Sequence, residues 1–257
     1  MLKFSANLSL LYTELPLLDR FRAAARDGFG AVEIQFPYDH DPYLLRQVAD
    51  EVGLPVVLIN VPAGDLMEGG EGLACVPERK AEFRQALARC REVAAVLQPA
   101  LVNVLAGRCQ EPGRWQEYLE TFVSNLKLAA EVLSPLGIGT VFEAVNRRDM
   151  PGFLIASPDE QLQVLGHTGN AECALQVDLY HLARMDLRVE EELARLLPHT
   201  AHIQFADCPG RGEPGSGKLD FRALFGQIDQ AGYRGWLGAE YHPTTASTSD
   251  SLAWLPR

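Results

Sequence analysis

Glu143, Asp178, Gln204 and Glu240 each close a short apolar run: TVFEAVN, ALQVDLYH, HIQFAD and WLGAEYH. A carboxylate that follows an apolar strand gains nothing from the core, so three of them plus an amide at successive strand ends suggest one oxygen-rich site. Oxygen ligands of this kind suit a divalent cation such as Mg2+ or Mn2+, which points to a metal-assisted enzyme. Singly, each residue has a plainer explanation: Glu143 and Glu240 as surface carboxylates beyond strand ends, Asp178 as the cap of a following helix. Together, and with His181 three residues after Asp178, they are poorly explained by coincidence.

The elements that must carry these residues can be read from the pattern. The gaps between the four positions are 35, 26 and 36 residues, enough for a strand, a helix and two loops in each interval. Eight candidate strands occur: KFSANLS, AVEIQF, PVVLIN, ALVNVLA, GTVFEA, ALQVDLY, AHIQFAD and GWLGAE. Amphipathic stretches alternate with them, among them LLDRFRAAARDG, YLLRQVADEVG, the long run from Pro77 to Leu97, and RWQEYLETFVSNLKLAAEVL. SPDEQLQVLGHTG, VEEELARLLP and DFRALFGQIDQAG follow, with Ser157 and Glu160 forming a helix start and Gly166 and Gly232 expected at helix ends. Strict alternation implies parallel strands covered by helices. No GxGxxG follows the first strand, and eight repeats favour closure, so the expected fold is a single (β/α)8 TIM barrel spanning residues 1–257. In such a barrel the carboxyl ends of the strands build the site, which is where the four positions fall.

Two loops stand out. NVPAGDLMEGGEGLACVPER, after the third strand, carries Gly64, Gly69, Gly70 and Gly72 and suits either a lid over a small molecule or a mobile surface loop. ADCPGRGEPGSGKLD, after the seventh, presents Arg211 among glycines, where backbone and guanidinium can both approach an anion; Lys218 is a weaker candidate.

Composition narrows the partners. A net charge of -11 with scattered basic residues argues against nucleic acid, which needs a clustered basic face. Five cysteines without a CxxC pair fit reduced thiols and a cytoplasmic location, and no run is apolar for long enough to span a membrane. Trp115, Tyr118 and Phe122 fall at helical spacing and read as core or subunit contacts. His202 and Gln204 share strand parity, so His202 is expected to line the interior. The closing stretch TTASTSDSLAWLPR has room to lie against the barrel or a second copy in a homo-oligomer.

The motifs FEAVN, VDLYH, HIQFADCPGRGEPGSG and GAEYHP, with FSANLSLLYTELPLLDRF, NVPAGD, NVLAG and PGFLIAS, resemble those of the hydroxypyruvate isomerase family. That family is a branch of the sugar-phosphate isomerase/epimerase barrels related to xylose isomerase. The resemblance implies that Glu143 and Glu240 act as acid and base while binding a divalent metal with Asp178. It places Gln204 where the superfamily has a histidine, a neutral and weaker ligand for a transition metal. His181 is then expected to orient a substrate oxygen and Arg211 to bind a substrate carboxylate. Asn146, three residues after Glu143, is a further candidate for a substrate hydroxyl.

The implied reaction converts hydroxypyruvate to 2-hydroxy-3-oxopropanoate (tartronate semialdehyde) through an enediolate. Glutamates at their ordinary pKa, about 4.3, are weak bases, so activation of the 2-oxo acid by metal is expected to outweigh any shift of the glutamates. A four-carbon 2-oxo-tetronate is the nearest alternative substrate. The same fold also carries abasic-site endonucleases and polyol dehydratases, since fold alone does not set chemistry.

Overall fold

In a computed structural model of the chain, residues 1–169 and 173–256 are described. Eight parallel strands close in sequence order: β1 (Lys3–Asn7), β2 (Ala31–Ile34), β3 (Val56–Asn60), β4 (Leu101–Asn103), β5 (Gly139–Glu143), β6 (Cys173–Asp178), β7 (Thr200–Phe205) and β8 (Trp236–Ala239), with β8 paired back onto β1. All eight overlap the stretches expected as strands, with β6 and β7 each starting one residue earlier. The (β/α)8 barrel follows from burial on both strand faces, one against the outer helices and one inside the ring.

The outer layer is α1 (Leu17–Asp27), α2 (Pro42–Val52), α3 (Lys80–Leu97), α4 (Trp115–Leu133), α5 (Pro158–Thr168), α6 (Leu179–Arg184), α7 (Val189–Leu196) and α8 (Phe221–Gln230). The short α6, which the pattern did not separate from its strand, starts on Asp178, whose Oδ1 accepts the Tyr180 N–H at 2.8 Å. The Ser157 and Glu160 side chains form a reciprocal capping box on α5. Gly166, expected to end that helix, lies inside it; α5 runs on to Thr168 and closes at Gly169, whose φ of 55° is left-handed. Tyr118 and Phe122 are buried on α4 as expected, with Trp115 packed at the edge of the core.

Among the described residues, no helix of regular length follows β8. Its place on the barrel wall is taken by the closing stretch, in which Trp254 meets the rings of Phe4, Phe29, Phe205, Phe225 and Tyr241 at centroid distances of 5.1 to 6.5 Å. The stretch therefore lies against its own barrel.

Residues of one parity on each strand point inward. Ser5 and Asn7, Gln176 and Asp178, His202 and Gln204, and Gly238 with Glu240 just beyond β8 share the interior parity of their strands, and registers such as Asp178 opposite Gln204 set them side by side. The carboxyl-terminal half of the barrel interior is consequently polar, while the apolar core lies between strands and helices.

Candidate active site

The site is a cavity of about 80 Å³ at the carboxyl ends of the strands. Asn7, Glu33, Gln35, Glu143, His181, Gln204, Arg211 and Glu240 line its polar side; Phe36, Met67, Leu105, Val145 and Met150 are among the apolar residues around it. Glu143, Asp178, Gln204 and Glu240 are each less than a tenth exposed and come together here from four strands.

The two glutamates have different surroundings. Glu240 Oε1 accepts from Asn7 Nδ2 at 2.8 Å, Gln35 Nε2 at 2.8 Å and Gln204 Nε2 at 3.3 Å, while its Oε2 takes Arg211 Nη2 at 2.6 Å. Glu143 Oε1 accepts a single hydrogen bond, from Asn103 Nδ2 at 2.8 Å. Burial raises both carboxyl pKa values above the ordinary range. Neighbouring carboxylates push both further the same way, Glu240 and Asp178 for Glu143 and Asp178 and Glu33 for Glu240; Arg211 opposes both shifts, and at Glu240 it outweighs either carboxylate. Among the protein groups alone, the site thus raises the glutamates itself, an effect the sequence reading had ranked second. Its donors favour an ionised Glu240 and leave Glu143 the better proton carrier.

Asp178 uses Oδ1 as a helix cap, so the capping and site roles coexist; its Oδ2 is buried without a hydrogen bond, 3.5 Å from both His181 Nε2 and Arg211 Nη2. Arg211, at a left-handed φ of 56°, lays its guanidinium over the Tyr180 ring at 5.0 Å, and its Nε is also unpartnered. The loop that carries it is folded around Asp207. That carboxylate accepts backbone N–H groups of Cys208, Gly215, Gly217 and Leu219 at 2.8 to 3.0 Å.

Asn146 is fully buried; its Nδ2 donates to Asp149 Oδ2 at 3.0 Å and to His181 Nδ1 at 2.7 Å, and its Oδ1 accepts the N–H groups of Arg148 and Asp149. With both amide hydrogens taken by Asp149 and His181, it orients the His181 ring. Burial lowers the His181 pKa to about 4, so the ring is neutral near pH 7. Since Nδ1 accepts, the proton sits on Nε2, the atom turned toward Asp178.

The glycine-rich loop after β3 is tied down. Arg108 Nη1 donates to the carbonyls of Leu66 and Gly70, Asp65 binds the Gly72 N–H and Arg79, and a Cβ on Gly107 would meet the Glu71 carbonyl at 2.4 Å. Only its exposed Met67 reaches the cavity rim.

The cluster fits a hard divalent cation. Three buried carboxyl groups, Glu143, Asp178 and Glu240, gather about one guanidinium, and the Asp178 Oδ2 is left without a hydrogen bond. Ligand atoms of Glu143, Asp178 and His181 lie within 4.8 Å of one another. Gln204 turns Nε2 toward Glu33 and Glu240 and accepts Gln176 Nε2 on Oε1 at 2.6 Å, so its oxygen already has one partner.

Residues 21–257 match the family model of the xylose isomerase-like TIM barrel. The chain belongs to that family. This xylose isomerase-like barrel is 37% identical to the hydroxypyruvate isomerase of Escherichia coli, over 99% of this chain and 98% of the relative. It is 39% identical to the 2-oxo-tetronate isomerase of Cupriavidus necator, over 98% and 97%. Among solved structures, an AP endonuclease of family 2 from Brucella melitensis superposes with a TM-score of 0.94 at 36% identity, covering 99% and 98% of the two chains. The 3-keto-D-glucoside 4-epimerase of E. coli, at 22% identity and a TM-score of 0.82, shares the fold.

Asn7, Glu33, Gln35, Asn103 and Gln176 were not singled out from the sequence. Their signal was a polar residue on the inward parity of an otherwise apolar strand, as in AVEIQF and ALVNVLA, which a fully apolar packed core would not contain.

Proposed function

We propose that this chain interconverts hydroxypyruvate and 2-hydroxy-3-oxopropanoate by proton transfer between C3 and C2. The observation that carries this reading is the pair of buried glutamates facing one small cavity with opposite hydrogen-bond surroundings. The relatives named hydroxypyruvate isomerase and 2-oxo-tetronate isomerase, matched over nearly the whole chain, support the same reaction class.

Glu240, in the ionised form that its donors favour, removes a proton from C3 and passes it to O2 of the resulting enediolate. Glu143, carrying a proton, delivers it to C2 and takes the hydroxyl proton from O3, so both residues return to their starting states. His181 Nε2–H donates to O2 as charge develops there, and Arg211 offers its guanidinium to the substrate carboxylate. Burial excludes water, which strengthens each of these interactions. A divalent ion such as Mg2+ or Mn2+ would be held by Glu143, Asp178 and Glu240, with the Gln204 oxygen engaged by Gln176 instead, and would supply positive charge to polarise the substrate carbonyl.

The net charge of -11 repels DNA, which weighs against an abasic-site nuclease. The test is NMR of hydroxypyruvate turnover in deuterated water. Deuterium at C2 of the product, lost with Glu143→Gln and with Glu240→Gln, is the expected result. Turnover only of a four-carbon 2-oxo acid would keep the mechanism and change the substrate; no turnover of either would overturn the reading.

A further inference from the structure

Beneath Glu240, across the barrel, lies a second buried carboxylate that the mechanism above does not use. Glu33 is 1% exposed. Its Oε1 accepts Gln204 Nε2 at 2.7 Å and Asn7 Nδ2 at 3.1 Å; its Oε2 faces His202 Nε2 at 2.7 Å and accepts Ser5 Oγ at 3.3 Å. The two amide N–H groups require an acceptor, and Glu33 Oε1 supplies it to both. The barrel makes room for it: a Cβ on Gly238 would stand 2.5 Å from Glu33 Oε2.

Asn7 and Gln204 are bridges. Each amide nitrogen gives one hydrogen to Glu33 Oε1 and the other to Glu240 Oε1. An amide whose two hydrogens are both claimed by carboxylates cannot turn its oxygen toward either, so Gln204 Oε1 is left to Gln176 and Asn7 Oδ1 to the Ser9 N–H. Glu33 therefore decides which way two of the three amides that hold Glu240 point. His202 fixes Glu33 in turn from the neighbouring layer of the barrel interior.

We infer that Glu33, held by His202, is a positioning residue for the base Glu240, acting through the amides of Asn7 and Gln204. This rests on the assignment of Glu240 as base. Replacing Glu33 by Gln preserves its shape but places an NH2 among donors, which frees Asn7 and Gln204 to flip; replacing it by Asp keeps an acceptor-only carboxylate but loses a methylene.

The experiment is steady-state kinetics of hydroxypyruvate turnover across pH for Glu33→Gln, Glu33→Asp and His202→Leu, with folding checked by circular dichroism. For Glu33→Gln, kcat is expected to fall by about 10- to 100-fold with KM little changed, the range typical of groups that orient a reacting side chain. Glu33→Asp should retain more activity than Glu33→Gln although Gln is the closer isostere. A role in packing alone would give the reverse order and overturn the inference. If Glu33→Gln does not fold, His202→Leu decides: a lowered kcat with a displaced pH profile supports the inference, and a wild-type profile overturns it. Glu240→Gln in the same assay separates the two readings. Its inactivity beside unaffected Glu33 and His202 variants would sink only this inference, whereas activity in Glu240→Gln would sink the base assignment as well.

Discussion

Asn146 donates its amide N–H to His181 Nδ1 at 2.7 Å, and this one contact settles where the imidazole keeps its proton. The Asn146 nitrogen is identified by its other partner, the Asp149 carboxylate, and its oxygen by two backbone N–H groups. Neutral His181 is thereby a donor at Nε2, the end that faces the site.

Reversing that contact should be costly. Asn146→Asp places an acceptor against Nδ1 and draws the proton there, leaving Nε2 without a hydrogen to give. A loss of about tenfold or more in kcat is expected, the value of one lost hydrogen bond to a charged group. Nitrogen NMR of the imidazole should report the tautomer change directly; wild-type kinetics with the Nδ1–H tautomer would remove His181 from the mechanism.

Arg211 contacts two carboxylates through one nitrogen and leaves Nε unpartnered. Arg211→Gln should raise KM for hydroxypyruvate by about 10- to 100-fold, matching a charged hydrogen bond of roughly 1.5–3 kcal/mol. Arg211→Lys should recover little, because a single ammonium lacks the planar fork. An unchanged KM in both variants would show that the substrate carboxylate is bound elsewhere.

The metal-free protein should lose stability as pH rises. Glu143 and Glu240 have folded pKa values above the ordinary value of about 4.5, so the folded chain binds more protons than the unfolded one across that window. Their contribution is complete below about 4.5 and is lost as pH climbs through the raised folded values. Urea denaturation of chelator-treated protein between pH 5 and about 8.5 would measure the slope. Glu143→Gln should flatten it; a slope unchanged by that substitution would contradict the burial argument.

Adding Mn2+ or Mg2+ to chelated protein should raise its thermal midpoint, because an ion bound only by the folded cluster stabilises it by mass action. Asp178→Asn should weaken the response, as the orphaned Oδ2 becomes part of a neutral amide. A midpoint insensitive to both metals would speak against a resident cation.

Asp207 gathers four backbone N–H groups of the loop that presents Arg211. Asp207→Asn should lower unfolding free energy by about 2 kcal/mol and also raise KM, since an amide cannot accept all four. Loss of stability with no change in KM would separate the loop's fold from the placement of Arg211.

Much of this was legible before folding. The eight strand and helix alternations, Ser157 as a cap and the four oxygen-bearing side chains at strand ends all follow from local patterns of period 2 and 3.6 and from residue type. Gly166 misled because an isolated glycine is tolerated inside a helix when packing continues past it. The partners of Asn146 were hidden for a different reason: which atoms meet its amide depends on α6 and on Asp149, and no spacing in the chain states that.

Residue order by itself determined the barrel, its parity and the chemical inventory of the site, because backbone periodicity and hydrophobic patterning are local properties. The tertiary structure decided which of the two glutamates is surrounded by donors, which nitrogen of His181 holds the proton, and that Glu33 and Gly238 meet across the barrel. These depend on contacts between residues up to 233 positions apart. Hydrogen-bond direction and burial, which set proton affinity, exist only once the ring of strands has closed.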